Sequence, residues 1–487
     1  MKLTNKLLMM VALVALLAAA CNGESTEVVR TSASVNASVI PELTAVSDLE
    51  EADPGEEHVS YAPDVPPPIT RDDQRVFDVR VEVLENVCPL DPENDVFTEM
   101  WGFRVEGDAE VVCGSPGPVL RGRVGDLARI TLTNLEGNTM PHNIDFHAVT
   151  GQGGGAADLT VAPGETATIE ARLLYSGAFM YHCAFGDVPL HMAKGMYGMF
   201  IVDPEVPLPK AEHEWAVMQS EWYVGDTDAD GVAPFDRDGL VVEEPKYVTF
   251  NGRTDALSGD NALTMQVGER ARIYMVNEGL NLDSNWHPIG SQWDTVYPEA
   301  ATTPGNPVIR GSQSTLVVAG GGTITELVGL VPSTILLVDH ALVRTFYKGA
   351  LGQVVVEGDE NSEIFAAEGT GTSAAAEGQA AEPDARSDQV IITEGAFDPA
   401  NADDAFSPRV TTVPVGTTVT WTNEDGKVVH TVTSGESDGT VGTPDGLFDS
   451  GDLKNGDTFS FTFTEPGTYE YHCTPHPWMM GTVIVEG

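Results

Sequence analysis

The chain has 487 residues, room for about three domains at roughly 150 residues each. Hydrophobic residues make up 41% and charged residues 20%, so each domain can bury a core and wholesale disorder is excluded. Lys and Arg number 25 against 74 Asp and Glu, a net charge of -49. That balance excludes nucleic acid as a partner, permits basic protein partners and suits solubility at high ionic strength.

Lys2 and Lys6 precede an apolar run from Leu7 to Ala20, too short for an ordinary membrane-spanning helix and closed by small residues before Cys21. Residues 1–21 resemble a bacterial lipoprotein signal, with Cys21 acylated after cleavage. Ala18 stands three positions before it, where Leu is more usual, and simple secretion is the alternative. Either way the chain is expected to be exported, in the cell envelope or periplasm, where disulfides are permitted. Residues 22–72, rich in Glu, Ser, Ala and Pro without periodicity, are expected to form a flexible acidic tether. Of the five cysteines, Cys21 belongs to the signal, while Cys183 and Cys473 sit in matching contexts. The even remainder, Cys88 and Cys113, is expected to be a disulfide.

Short alternating runs such as ARITLTN, RIYMVN, TVTWTN and TFSFTF, bounded by Gly, Pro and Asn, predict an all-β architecture. An internal repeat recurs at roughly 145 residues. Val124-Gly125 opens a strand ending at Asn134, Val267-Gly268 one ending at Asn277, and Val415-Gly416 one ending at Asn423. Each Asn is followed by a histidine (His142, His287, His430), and each unit closes with another: His182 in YHC, His340 in VDHA and His472 in YHC. Three copies of one β-sandwich follow, over residues 73–204, 205–358 and 388–487. Residues 359–387, of Ala, Gly and Glu, read as a flexible linker with a reach of roughly 30 Å.

In the first unit His142, Cys183, His191 and Met196 supply two imidazoles, a thiolate and a weak axial thioether, a set that selects copper and suits electron transfer. The third repeats it with His430, Cys473, His476 and Met479, where the Cys-x2-His-x2-Met spacing lets one tight loop deliver three ligands. Met480 competes with Met479, and His472 points away from Cys473 along the strand. The first unit also carries His147 and His182. Because neighbouring strand side chains face opposite sides, His182 points outward while Cys183 faces inward. In the second unit His340 aligns with His182, but Ala341 stands where the cysteine would be, so no thiolate copper can form there. His147, His182 and His340 together make a three-histidine site across a domain interface, with the open position of a catalytic metal. Asp145, between His142 and His147, and His287, an imidazole without a thiolate partner, are the candidates for acid–base work.

The motifs MPHNIDFHAVTGQGGG, GAFMYHCAF…HMAKGMYG, SNWHPIG and VDHALVRTFYKGALG resemble the copper-containing nitrite reductases over roughly residues 60–358. The last hundred residues resemble amicyanin-type cupredoxins, chiefly through YHCTPHPWM. The resemblance implies three tandem cupredoxin-like Greek-key β-sandwiches, two forming the reductase core and one tethered C-terminally. It implies two type 1 coppers and one type 2 copper per chain. It also implies a homotrimer in which His340 of one subunit completes the site made by His147 and His182 of its neighbour, with Asp145 and His287 as proton donors to nitrite. Thr315 matches a hydroxyl that would orient His287, and the Cys183-to-His191 spacing is one residue shorter than in the best-known members. Electrons would pass from the Cys473 centre to the Cys183 centre and on through His182.

Two rivals remain. A multicopper oxidase needs several His-x-His pairs for about eight imidazoles, and this chain has 11 histidines and no such pair. A non-catalytic copper electron carrier would leave His147, His182 and His340 without a purpose.

Overall fold

The computed structural model describes residues 39–366 and 388–486, apart from 403, 427, 438 and 440. The expected signal, with Cys21, and most of the 359–387 linker lie outside the described residues. All three sandwiches fall within the unit Leu43–Gly487.

The first sandwich sets Val96–Val105, Arg75–Asp91, Leu127–Asn134 and Thr166–Arg172 side by side in one sheet. The other sheet orders Val59–Ser60, Val119–Arg123, Tyr197–Asp203, Gly177–His182 and Asp145–Phe146. Alternation decides which face is buried: in Arg75–Asp91, Phe77, Val79, Val81 and Val83 turn inward while Asp78 and Arg80 stay outside. Cys88 and Cys113 are joined by a disulfide.

The second sandwich repeats the plan around Trp286, Trp293 and Phe250, with His213–Trp222, Arg270–Asn277 and Gly322–Val328 central in one sheet. In its other sheet, Leu351–Glu357, Ser333–Asp339 and Ser284–Ile289 run side by side. The third closes on Trp421, Phe406 and Tyr471. One piece of the second unit crosses over: Val232–Ala233 adds a parallel strand to the first sandwich, opposite Phe97 and Thr98.

The tether expectation needs correction at its C-terminal half. Val59–Ser60 is an edge strand of the first sandwich, paired with Val119 and Leu120. Beyond it, the Pro63 carbonyl accepts from the Ala216 N–H, the Pro66 carbonyl from Arg121, and Ile69 N–H donates to Asp203. The segment therefore straps the first sandwich to the second. Prolines lack the N–H that a sheet ladder needs, but their carbonyls remain acceptors. Beneath the strap, Arg121 pairs with Asp203 and Glu214, and Arg272 with Glu214 and Glu326.

Candidate metal centres

The repeated asparagine does the same work in all three units. Asn134 Nδ2 donates to the carbonyls of Met140 and Val161, Asn277 Nδ2 to those of Leu282 and Val317, and Asn423 Nδ2 to those of Val428 and Leu453. Each amide pins the loop leading to the next histidine. His142 and His430 are then fixed by paired backbone bonds to Val161 and Leu453.

In the first unit Cys183 follows the strand Gly177–His182, and His191 sits on the helix Val188–Ala193. Cys183 Sγ lies 3.8 Å from His142 Nδ1 and 3.3 Å from His191 Nδ1, and the two nitrogens are 3.2 Å apart. Ligands at about 2.0–2.3 Å from one ion stand roughly 3.5 Å from each other, so the three atoms fit a single copper. Met196 is buried beside them, its N–H on the His191 carbonyl and its carbonyl on the Cys183 N–H. Burial pushes the Cys183 thiol up to about 11 and pulls His191 down to about 4, where the neighbouring His142 acts in the same direction. His142 is lowered by burial too, against the opposing pull of Glu85. Neutral imidazoles and a thiol that ionises only beside a cation are what a metal ion would meet there.

The third unit places Cys473 Sγ 3.7 Å from His430 Nδ1 and 3.4 Å from His476 Nδ1. The Thr431 N–H donates to the same sulfur at 3.3 Å. Met479 is wholly buried in the core while Met480 is half-buried, which favours Met479 as the axial group. His472 is buried with Nδ1 on the Gly435 carbonyl, facing away from the cluster.

Sequence reasoning missed a carboxylate behind each buried histidine. Glu85 Oε1 lies 2.9 Å from His142 Nε2, and Asp425 Oδ2 lies 3.1 Å from His430 Nε2. Such a partner fixes the ring and its tautomer and raises ligand basicity. Asp425, five residues before His430, was within reach of spacing arguments; Glu85, on another strand, was not.

Asp145, His147 and His182 form the third cluster, their ligand atoms within 4.8 Å of one another. Asp145 opposes His182 across two antiparallel strands, and His147 Nε2 lies 3.3 Å from His182 Nε2. His182 Nδ1 is 3.0 Å from the Cys183 carbonyl, so Nδ1 carries the proton and Nε2 is left free to ligate. Gly154, at φ +55°, passes so close to Asp145 that a Cβ there would meet Oδ1 at 2.0 Å. This is one reason the GQGGG loop is glycine-rich.

His340 does not join this cluster within one chain. It is exposed at the end of Ser333–Asp339, its ring centroid 5.0 Å from that of His287. His287 Nδ1 meets the Gln313 carbonyl; among the hydrogen bonds of the described residues, none joins Thr315 to His287. The polar groups therefore form two half-sites, Asp145, His147 and His182 on the first unit and His287 and His340 on the second.

Repeated cupredoxin sandwiches with paired Cys–His centres define a copper oxidoreductase scaffold. Residues 394–486 match the copper binding proteins of the plastocyanin/azurin family, and residues 93–206 match the multicopper oxidase family. The copper-containing nitrite reductase of Neisseria meningitidis serogroup B is 42% identical over 322 residues, covering 66% of this chain and 79% of that protein. That of Pseudomonas chlororaphis is 34% identical over 268 residues, covering 51% and 72%. A solved copper nitrite reductase from Nitrosomonas europaea superposes with a TM-score of 0.51 at 32% identity, covering 59% of this chain and 96% of the other. The chain belongs to the copper-containing nitrite reductase family and carries a C-terminal plastocyanin/azurin-type domain.

Proposed function

We propose that the chain is an exported nitrite reductase that converts nitrite to nitric oxide and water, taking up one electron and two protons, with its third domain as fused donor or relay. The observation that carries this reading is the adjacency of His182 and Cys183. One peptide joins a thiolate centre buried in the sandwich to an outward imidazole beside a carboxylate. Each chain would hold type 1 copper on His142, Cys183, His191 and Met196 and on His430, Cys473, His476 and Met479. Type 2 copper would sit on His147, His182 and His340. Copper bound at these sites supplies a one-electron couple and a Lewis acid.

The chain's own groups do the rest. Asp145, half-buried beside His147 and His182, orients nitrite through a hydrogen bond and holds one proton at its carboxyl. His287, with Nδ1 toward the Gln313 carbonyl, presents Nε2 as the second proton donor.

The separation of the two half-sites supports a homotrimer in which His340 reaches the neighbouring subunit. The helix Leu342–Lys348 that follows His340 exposes Leu342, Val343, Phe346 and Tyr347, the last at 68%. An apolar face of that kind is what a second subunit would cover. The lipoprotein-type leader supports a lipid anchor, and the Cys88–Cys113 disulfide supports an oxidising compartment such as the cell envelope. A tethered donor would act at an effective concentration on the order of millimolar.

The test is anaerobic: copper-loaded full chain, a chemical reductant and nitrite, with direct detection of nitric oxide. Sustained release that is lost in His340→Ala is expected. No release from fully loaded protein would overturn the reading, and dioxygen would be the next substrate tried.

A further inference from the structure

Unit two departs from its sisters at one position. The residue before the closing histidine is a buried tyrosine in units one and three, Tyr181 and Tyr471, but Asp339 in unit two. Asp339 is fully buried beside the exposed His340. Its Oδ1 accepts from the Asn285 N–H and the Ala341 N–H, each at 3.1 Å, and from Arg344 Nη2 at 3.3 Å. Arg344 Nε stands 2.7 Å from Oδ2, off the hydrogen-bonding line, as an ion pair. Arg344 Nη2 also donates to the Asp283 carbonyl at 2.9 Å. The Asp339 carbonyl receives the Thr345 hydroxyl, and the His340 N–H meets the Asn285 carbonyl at 2.8 Å. One carboxylate thus ties together the strand carrying His287, the turn carrying His340 and the helix after it.

A buried charge is costly unless compensated, and removing one partner of such a pair is costlier still. In units one and three a cysteine of the proposed metal-ligand set follows the closing histidine, and the turn is tied by the Ala184 N–H to Asn143 Oδ1 and by the Thr474 N–H to Thr431 Oγ1. In unit two Ala341 stands in the cysteine's place and offers no thiolate, and the Asp339–Arg344 pair occupies the same turn.

Resting on the interfacial three-histidine site proposed above, we propose that Asp339, clamped by Arg344, is the positioning residue that sets His340, and with it His287, for the site completed by the neighbouring subunit. Asp339→Asn keeps an acceptor for both N–H groups but cancels the charge facing Arg344. Asp339→Ala removes both, and Arg344→Gln leaves the carboxylate without its counter-charge.

The measurement is electron paramagnetic resonance of the copper-loaded full chain, with type 2 copper occupancy and, in parallel, kcat and KM for nitrite. Type 1 signals should be unchanged throughout. In Asp339→Ala the type 2 hyperfine pattern should shift and affinity for type 2 copper should fall about 10–100-fold. kcat should fall with it more than KM rises, and Asp339→Asn should restore part of each loss. Native type 2 parameters and occupancy in Asp339→Ala, or in Arg344→Gln should the alanine variant not fold, would overturn the positioning role alone. Absence of a type 2 signal from the unmodified chain would overturn the interfacial site and this role together.

Discussion

The first and third sandwiches hold the same donor set, yet one is closed and the other open. His191 is 1% exposed, whereas His476 is only half-buried. Loop length begins the difference. Only two residues lie between Cys473 and His476, leaving room for a tight turn, while the longer Cys183–His191 loop accommodates the helix Val188–Ala193. The second sandwich then covers that helix. Tyr223 and Leu240 pack on Ala193, Arg237 pairs with Asp187 at 2.8 Å, and Val232–Ala233 joins the neighbouring sheet. An open imidazole edge can exchange electrons with a protein that touches it; a capped one exchanges through the atoms of its cover or along its own chain. The same donor set is therefore presented in two different surroundings, one capped by the neighbouring sandwich and one open.

Removing each thiolate tests that contrast most severely. Cys183→Ala should abolish nitrite turnover with every reductant, while Cys473→Ala should spare turnover driven by a small reduced dye and lose only that driven by a protein donor. Equal losses with the dye would break the distinction. Next come the carboxylates behind the buried histidines. Glu85→Gln and Asp425→Asn should each weaken copper binding at its own centre by about 10–100-fold. Each should also raise the midpoint potential, because a less basic imidazole favours the reduced ion; spectroelectrochemical titration of the two centres reads this directly.

The smallest effect concerns a group confined to the reductase core. Glu278 is buried, neither of its oxygens has a hydrogen-bond partner, and burial pushes its carboxyl well above the usual range. The folded chain thus keeps a proton that the unfolded chain releases above a pKa of roughly 4.3. That contribution to stability is whole below the unfolded pKa and is lost as pH rises toward the folded one. Glu278→Gln should therefore stabilise the core near neutral pH by about 1–3 kcal/mol, with the gain vanishing toward pH 4. Thermal melts across that range check it. The third domain should not respond, since Glu278 lies outside it.

Much of this was legible in the sequence because the informative patterns are local. Strand alternation depends on neighbours two residues apart, and Cys473, His476 and Met479 come from one loop. What escaped depends on partners far along the chain. Residues 59–72 show no periodicity because their order comes from carbonyls and N–H groups meeting Arg121, Asp203 and Ala216, not from a repeating apolar face. Glu85 reaches His142 across 57 positions. Asp339 adjoins His340 in VDHA, but its role needs Asn285 and Arg344 in view. For His287, a hydroxyl was expected where the Gln313 main chain supplies the acceptor, and main-chain groups leave no mark on residue type.

Asn134, Asn277 and Asn423 hold their loops through side-chain amides, and Asn277 does so in a unit with no thiolate to offer an ion. Shape and cargo are therefore separable in this scaffold. A copy can lack the thiolate, as the second does with Ala341 at the cysteine's position, and still present a histidine from a firm loop. The donor set of one copy can therefore be altered without disturbing the loop that presents it, because side-chain amides, not an ion, set that loop's shape.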